Sequence, residues 1–269
     1  MSDPCIEMLA VVWGSISELC DDLTEEEWSL ATDCPGWTVQ DQLSHIVGPE
    51  AAFIGRPQPT GGAIKRPYIR NPIGSANEAL VDYRRAWSGP QVLAEFRDVT
   101  SERLAALRAM DDEDLDEESW TPTGPGRYRD LLAIRVLDAW VHEQDIRAAL
   151  GRPGHLEGPV PQHVLGRCFF AMPYVVGKKA AAPEGTTVLF RISGPTSGSL
   201  AIEVSGGRAR AVEDVPATAT VTLEADFVTF TRVSNGRIDP GRARAEGAIT
   251  VGGEALLGAN VVEQLNFMI

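Results

Sequence analysis

The hydrophobic pattern of this chain changes period once, and that change limits the possible folds more than any other feature. Up to about residue 155, apolar residues recur at helical spacing. After about residue 184 they fall into short β-like runs separated by Gly-rich turns. Cys5–Asp21 places Leu9, Val12, Trp13, Ile16 and Leu19 near one helical face. Pro35-Gly36 then breaks the chain, and Thr38 with Asp41 reads as an N-cap and capping-box acid that open a helix over Val39–Ile54. Helices are expected again over Ala76–Trp87 and Gln91–Met110. In RYRDLLAIRVLDAWVHEQDIRAALGRPG, Leu131, Ile134, Val136, Leu137, Val141, Ile146 and Leu150 supply helical core positions. Gly151 ends that helix and Pro153 prevents its resumption.

Three connecting segments stand out. Gly55–Gly74 is a Pro/Gly-rich loop, either a pocket wall or a surface insertion. The acidic run Asp111–Glu118 reads as a solvated connector, because it lacks the oxygen spacing and turn glycines of a hard-metal loop. Thr121–Gly126, TPTGPG, leads into the long helical segment quoted above. Further on, TTVLFRIS, SLAIEVS, RARAVE and TATVTLE read as strands, Ala225–Val233 as a short helix, RARAEGAITVGG as another strand and turn, and Glu254–Asn266 as a closing helix. The class predicted is α + α/β, with an up-and-down helical bundle over residues 1–155 and a linker helix plus small α/β domain over 156–269.

With 269 residues, two modest domains can each build a core. The formal net charge of -14 opposes broad adhesion to nucleic acid or anionic membrane. Four cysteines, Cys5, Cys20, Cys34 and Cys168, form no CxxC pair and read as reduced residues packing as small hydrophobes. The N-terminus lacks the pattern of a signal peptide and no segment is long and apolar enough to span a bilayer, so a cytoplasmic location is expected. Neither GxGxxG nor GxxxxGK[ST] occurs.

The chain has only four histidines. Asp138 and His142, four residues apart in the long predicted helix, share a face. His45, in another helix, can meet them across a bundle. Two imidazoles and a carboxylate suit Zn²⁺ with a fourth position open, while Fe²⁺, Ni²⁺, Mn²⁺ and Co²⁺ stay open. The bland alternative is a surface ion pair plus a core histidine. Asp145 lies three residues after His142, either orienting its imidazole or acting as a helix-stabilising acid. Trp37 and Trp140 read as packing walls. Arg147 and, in the second domain, Arg232 and Arg237 are candidate substrate-binding groups. Cys34 is near a helix start but no local base accompanies it, so no catalytic protein nucleophile is expected.

TDCPGWTVQDQLSHI and RVLDAWVHEQDIRAALGRPG together resemble the mycothiol-dependent maleylpyruvate isomerase family, which is related to the DinB-like metal-binding four-helix bundles. The resemblance covers nearly the full chain and implies a sterol-carrier-like C-terminal domain, in which TVTLEADFVTFTRVSNGR and GGEALLGANVVEQLNFMI sit. It implies a metal on His45, Asp138 and His142, with Asp138 where the isomerase carries Glu. Aspartate is one methylene shorter and needs a closer helix. The resemblance further implies mycothiol as thiol cosubstrate, a C-terminal arginine near the site (Arg232 or Arg237) and an actinobacterial host. The activity expected is isomerisation or conjugation of a small, anionic electrophile. A metal-water hydrolase-like enzyme and a non-catalytic metal- or ligand-binding regulatory protein remain alternatives.

Overall fold

The computed structural model describes residues 3–59, 64–213 and 218–267. Residues 60–63 of the predicted Gly55–Gly74 loop lie outside them. The chain divides into two compact units that meet in sequence at His155 and Leu156.

The first unit is helical. Its elements are α1 (Pro4–Leu19), α2 (Glu25–Trp28), α3 (Val39–Phe53), α4 (Pro72–Arg84), α5 (Gly89–Arg108), α6 (Asp112–Asp116), the hairpin β1 (Glu118–Thr121) and β2 (Gly124–Arg127), and α7 (Tyr128–Leu150). Both α1 and α3 pack against α5 and α7, which makes a four-helix bundle, and α4 lies along α3. The chain-successive helices α1 and α3 are therefore across the bundle from each other, so the simple up-and-down order predicted for successive helices is not kept. Leu9, Val12 and Ile16 of α1, Leu43 and Ile46 of α3, Phe96 and Val99 of α5, and Leu132, Val136 and Ile146 of α7 form the core.

Local chemistry sets the ends of α3 and α7. Thr38 Oγ1 accepts the Asp41 amide at 3.3 Å and Asp41 Oδ2 accepts the Thr38 amide at 3.0 Å, the reciprocal box read from the sequence. At the far end of α7, Gly151 takes the left-handed conformation (φ 63°), open to glycine without a Cβ penalty. Pro49 sits inside α3 and has no N–H to offer the His45 carbonyl four residues back.

One connecting segment differs from expectation, and a second forms a hairpin. The acidic run at Asp111–Glu118 is not a plain connector: Asp111 Oδ1 accepts the amides of Glu113 and Asp114 at 2.9 and 3.0 Å and caps α6, whose Leu115 is buried. Thr121–Gly126 closes the β1–β2 hairpin, in which Thr121 pairs with Gly124 around Pro122 and Thr123.

The second unit opens with α8 (Pro159–Tyr174), which passes into a π turn at Val175–Lys179. It continues through β3 (Thr187–Ser193), β4 (Gly198–Ser205), β5 (Arg208–Val212), β6 (Val221–Asp226), α9 (Phe227–Ser234), α10 (Pro240–Ala245), β7 (Ile249–Gly253) and α11 (Ala255–Glu263). The strands form one sheet in the order β5-β4-β3-β6-β7, with only β3 and β6 parallel. RARAEGAITVGG, predicted as strand and turn, splits: Asp239 Oδ1 caps α10 by accepting the Arg242 amide at 2.7 Å, and only Ile249–Gly253 is strand. Among the described residues no helix is long and apolar enough to cross a membrane. The predicted class, a helical bundle followed by an α/β region, is what forms.

Two glycines inside helices test the packing. A Cβ on exposed Gly14 of α1 would meet nothing within 4 Å, whereas one on Gly48 of α3 would lie 2.8 Å from Leu80 Cβ of α4. Gly14→Ala should raise stability in urea unfolding by about 0.5–1 kcal/mol through helix propensity. Gly48→Ala should lower it by about 1–3 kcal/mol through overpacking, reversing the usual sign of this substitution in a helix.

Candidate metal centre

α3 is buried on nearly every side, yet it carries Asp41, Gln42, Ser44, His45 and Glu50 among its buried residues. α7, packed against it, buries Arg135, His142, Glu143 and Asp145. Polar groups removed from water must find partners, so the seam between the two helices has to be internally matched. His45 Nε2 lies 3.5 Å from Asp138 Oδ1 and 3.4 Å from Oδ2, and His142 Nε2 lies 3.6 Å from Oδ1. The two imidazole centroids are 4.5 Å apart. One donor atom from each of the three residues falls within 4.8 Å of the others.

These separations are long for hydrogen bonds. They match the edge of a tetrahedral site, since ligands held about 2.0–2.1 Å from a zinc ion lie roughly 3.3–3.4 Å apart. The donor set therefore fits a divalent metal. Burial pushes His45 down to about 4, against the pull of the Asp138 carboxylate, so its ring is neutral. Burial would raise Asp138, but Arg135 and then the two histidines outweigh it and hold the carboxyl well below its ordinary range. Burial would lower His142 too, yet the adjacent Asp138 charge carries it well above the usual imidazole value.

The surrounding groups hold these three in place. His142 Nδ1 is 2.5 Å from Gln42 Oε1, and Gln42 Nε2 donates to Thr32 Oγ1 at 2.6 Å. That orientation of the amide keeps a proton on Nδ1, so the proton a metal would displace is the one on Nε2, facing Asp138. His45 has no counterpart to Gln42: its Nδ1 is buried without a hydrogen-bond partner among the described residues. Arg135 donates from Nη1 to Asp138 Oδ2 at 2.8 Å and from Nε to Glu50 Oε1 at 2.7 Å. Glu50 Oε2 then accepts from Arg103 Nε at 3.0 Å, and Arg103 also bonds the Tyr128 hydroxyl. Trp37 covers the histidines, with its ring 5.1 Å from His45 and 5.8 Å from His142. Its Nε1 donates to the buried Glu78 at 2.9 Å, which also accepts from Tyr68 at 2.9 Å and Arg85 at 2.7 Å. The long loop thus ties back to the Trp37 side through Tyr68.

The model of the mycothiol maleylpyruvate isomerase N-terminal domain matches residues 9–147, just over half of the chain. The chain belongs to that family. A crystal structure of a mycothiol-dependent maleylpyruvate isomerase superposes with a TM-score of 0.57 at 14% identity, covering 92% of this chain and 91% of that one. A histidine-to-alanine mutant of such an isomerase superposes with a TM-score of 0.56, also at 14% identity and with the same coverage. At that identity the likeness is one of fold. A sterol carrier protein 2 like 2 from Aedes aegypti, 17% identical, matches 37% of this chain and 94% of its own with a TM-score of 0.30, too weak to place a fold. No curated protein matches the sequence.

On this family scaffold, the remaining candidates from the sequence fall in different places. Asp145 Oδ2 is 3.5 Å from His142 Nδ1, on the side of the ring away from Asp138. Trp140 follows Asp138 by two residues and so points elsewhere on α7; it is buried and its Nε1 donates to the His155 carbonyl at 2.9 Å. Arg147 is bound by Glu143 Oε1 at 2.8 Å and by Ser15 Oγ at 2.9 Å. Glu143 is fully buried and also accepts from Ser15 and His155, at 2.6 and 2.7 Å. Arg232 lies in the last turn of α9 and Arg237 follows that helix in the second unit, where Arg237 Nη1 donates to the Asn235 carbonyl at 2.8 Å. The sequence reading passed over Gln42, Glu50 and Arg103. Gln42 precedes His45 by three residues, a helical neighbour spacing that was available as a signal. Glu50 and Arg103 carried none, since their partners lie far along the chain.

The chain of charges can be tested by stability. Glu50 is 1% exposed and sits between two buried arginines. Glu50→Ala should cost about 3–5 kcal/mol in urea unfolding, because it strands both guanidinium groups. Glu102→Ala, at the exposed Arg56 pair, should cost less than about 1 kcal/mol.

Proposed function

We propose that this chain is a metal-dependent enzyme that uses a low-molecular-weight thiol, mycothiol, to isomerise or conjugate a small anionic electrophile. The observation that carries this reading is the buried His45–Asp138–His142 set, with donor separations matching a tetrahedral divalent site on the scaffold of this family. Two imidazoles and a carboxylate suit Zn²⁺. Such an ion lowers the pKa of a bound thiol and polarises a carbonyl.

The chain's own residues do the rest. Gln42 keeps the proton of His142 on Nδ1, so that Nε2 is free to ligate. Arg135 holds one oxygen of Asp138, fixes the carboxylate's rotation and keeps it ionised. Asp145 supports His142 from the Nδ1 side. The Trp37 ring shields the two imidazoles from water and strengthens the electrostatics between them. Arg232 or Arg237 orients the substrate carboxylate. Arg147, engaged by Glu143 and Ser15, steadies α7 against α1 in this reading.

His45→Ala and His142→Ala should each lose stoichiometric metal by elemental analysis, and wild-type content in both would overturn the site. Gln42→Leu should retain the fold and weaken metal affinity roughly 10–100-fold. Adding mycothiol to cobalt-substituted protein that also carries Cys34→Ser should produce a sulfur-to-cobalt charge-transfer band. Its absence would rule out the thiol as ligand. With metal and fold intact, loss of the working arginine, tested as Arg232→Ala and Arg237→Ala, should lower turnover about 10–1,000-fold.

A further inference from the structure

His142 has chemistry on both of its nitrogens. Nε2 faces Asp138 and His45, while Nδ1 faces Gln42 and, at 3.5 Å, Asp145 Oδ2. Cys34 Sγ lies 3.7 Å from that same carboxylate oxygen. The sulfur, an imidazole nitrogen of His142 and a carboxylate oxygen of Asp145 all fall within 4.8 Å of one another. The thiol absent from the sequence reading of the site is therefore brought to it by the fold: residues 32–37 form a turn ahead of α3 that lays Cys34 beside α7. Both sides of that turn are pinned. The Cys34 amide donates to Thr32 Oγ1 at 3.3 Å, and its carbonyl accepts from the Trp37 amide at 3.1 Å.

We propose that Cys34 Sγ, His142 Nδ1 and Asp145 Oδ2 form a second metal position for a thiophilic divalent ion such as Zn²⁺ or Cd²⁺, back to back with the first across the His142 ring. A tetrahedral zinc with sulfur at about 2.3 Å and oxygen or nitrogen at about 2.0–2.1 Å sets a sulfur–oxygen edge of roughly 3.5 Å and a nitrogen–oxygen edge of roughly 3.3–3.4 Å. The observed 3.7 and 3.5 Å lie within a few tenths of an ångström of those edges. Asp145 and His142 are buried and Cys34 is half-buried, so the position is sheltered yet reachable from the thiol side. A thiolate donor selects zinc and cadmium over magnesium and calcium.

Binding there has a definite proton balance. The Cys34 thiol gives up one proton and the His142 Nδ1–H another, and the hydrogen bond to Gln42 is lost. With both positions filled, His142 bridges the ions as an imidazolate. The second ion therefore binds more weakly than the first.

The test is a cobalt titration of the full chain in buffer free of added thiol. The expected result is two ions bound, with a sulfur-to-cobalt charge-transfer band growing in with the second equivalent. Cys34→Ser should bind one ion and show no band. Cys5→Ser, which alters the other half-buried thiol, should leave the band intact. His45→Ala should lose the first ion and keep the band, so failure of the first site and failure of this one are read separately. A wild-type protein without the band, or Cys34→Ser protein that keeps it, overturns the proposal. A measurement on wild-type protein alone guards against variants that fail to fold: Cd²⁺ should slow alkylation of Cys34, followed by mass spectrometry, at least tenfold. Equal rates with and without Cd²⁺ overturn it as well.

Discussion

The first unit depends on matching charge in a seam largely closed to water. α3 is buried almost all round, and a helix in that position is ordinarily apolar on every face. Here it presents Gln42, His45 and Glu50 to α7 and α5, and all but the Nδ1 of His45 are answered. Asp138, Arg135, Glu50 and Arg103 alternate in sign along a continuous line of contacts between 2.7 and 3.0 Å. Two carboxylates meet two guanidinium groups, so no net charge is buried. Any one of the four left alone would be strongly unfavourable in that environment. The line ends at the carboxylate that faces both histidines, and the same interactions that make the seam compatible with folding also fix the rotation and ionisation of Asp138.

The two histidines share that carboxylate but differ in their other contacts. His142 is clamped on its far side by Gln42 and approached by Asp145, whereas the second nitrogen of His45 has no partner among the described residues. Electrostatics follows geometry: burial prevails for His45, whereas for His142 burial is outweighed by the Asp138 charge together with the hydrogen bonds around the ring. On the opposite face of α7 a separate buried cluster gathers around Glu143 and binds Ser15 of α1, Arg147 and His155. It fastens the segment after α7 back onto the bundle, with His155 held at φ 52°, a conformation uncommon for a residue with a Cβ. One long helix thus carries two polar clusters on two faces, and only one of them has the donor chemistry of a metal centre.

The second unit is organised around β3, the middle strand, which pairs antiparallel to β4 and parallel to β6. Val188, Leu189, Phe190 and Ile192 are buried in it, while Phe169 of α8 and Phe190 both pack on Phe230 of α9. Its two arginines of interest flank the turn at Asn235-Gly236, where Gly236 adopts φ 74° with Asn266 packed so close that a Cβ there would collide.

The sequence by itself determined the class and most element boundaries. Period changes, the Thr38–Asp41 box and the Gly151 stop are local, and local signals survive without tertiary context. It also marked His45, Asp138 and His142, because two of them share a helical face and histidine is rare in this chain. It misread Asp111–Glu118, where one buried leucine and an aspartate cap convert an acidic run into a helical turn, and the RARA stretch, where Asp239 and Pro240 start a helix. What only the tertiary structure decided is the environment of those three residues. Glu50 to Arg135 spans 85 positions, Gln42 to His142 spans 100 and Cys34 to Asp145 spans 111. No local pattern encodes such pairs, because the free energy that selects them, the penalty for burying an unmatched polar group, exists only once the helices have packed.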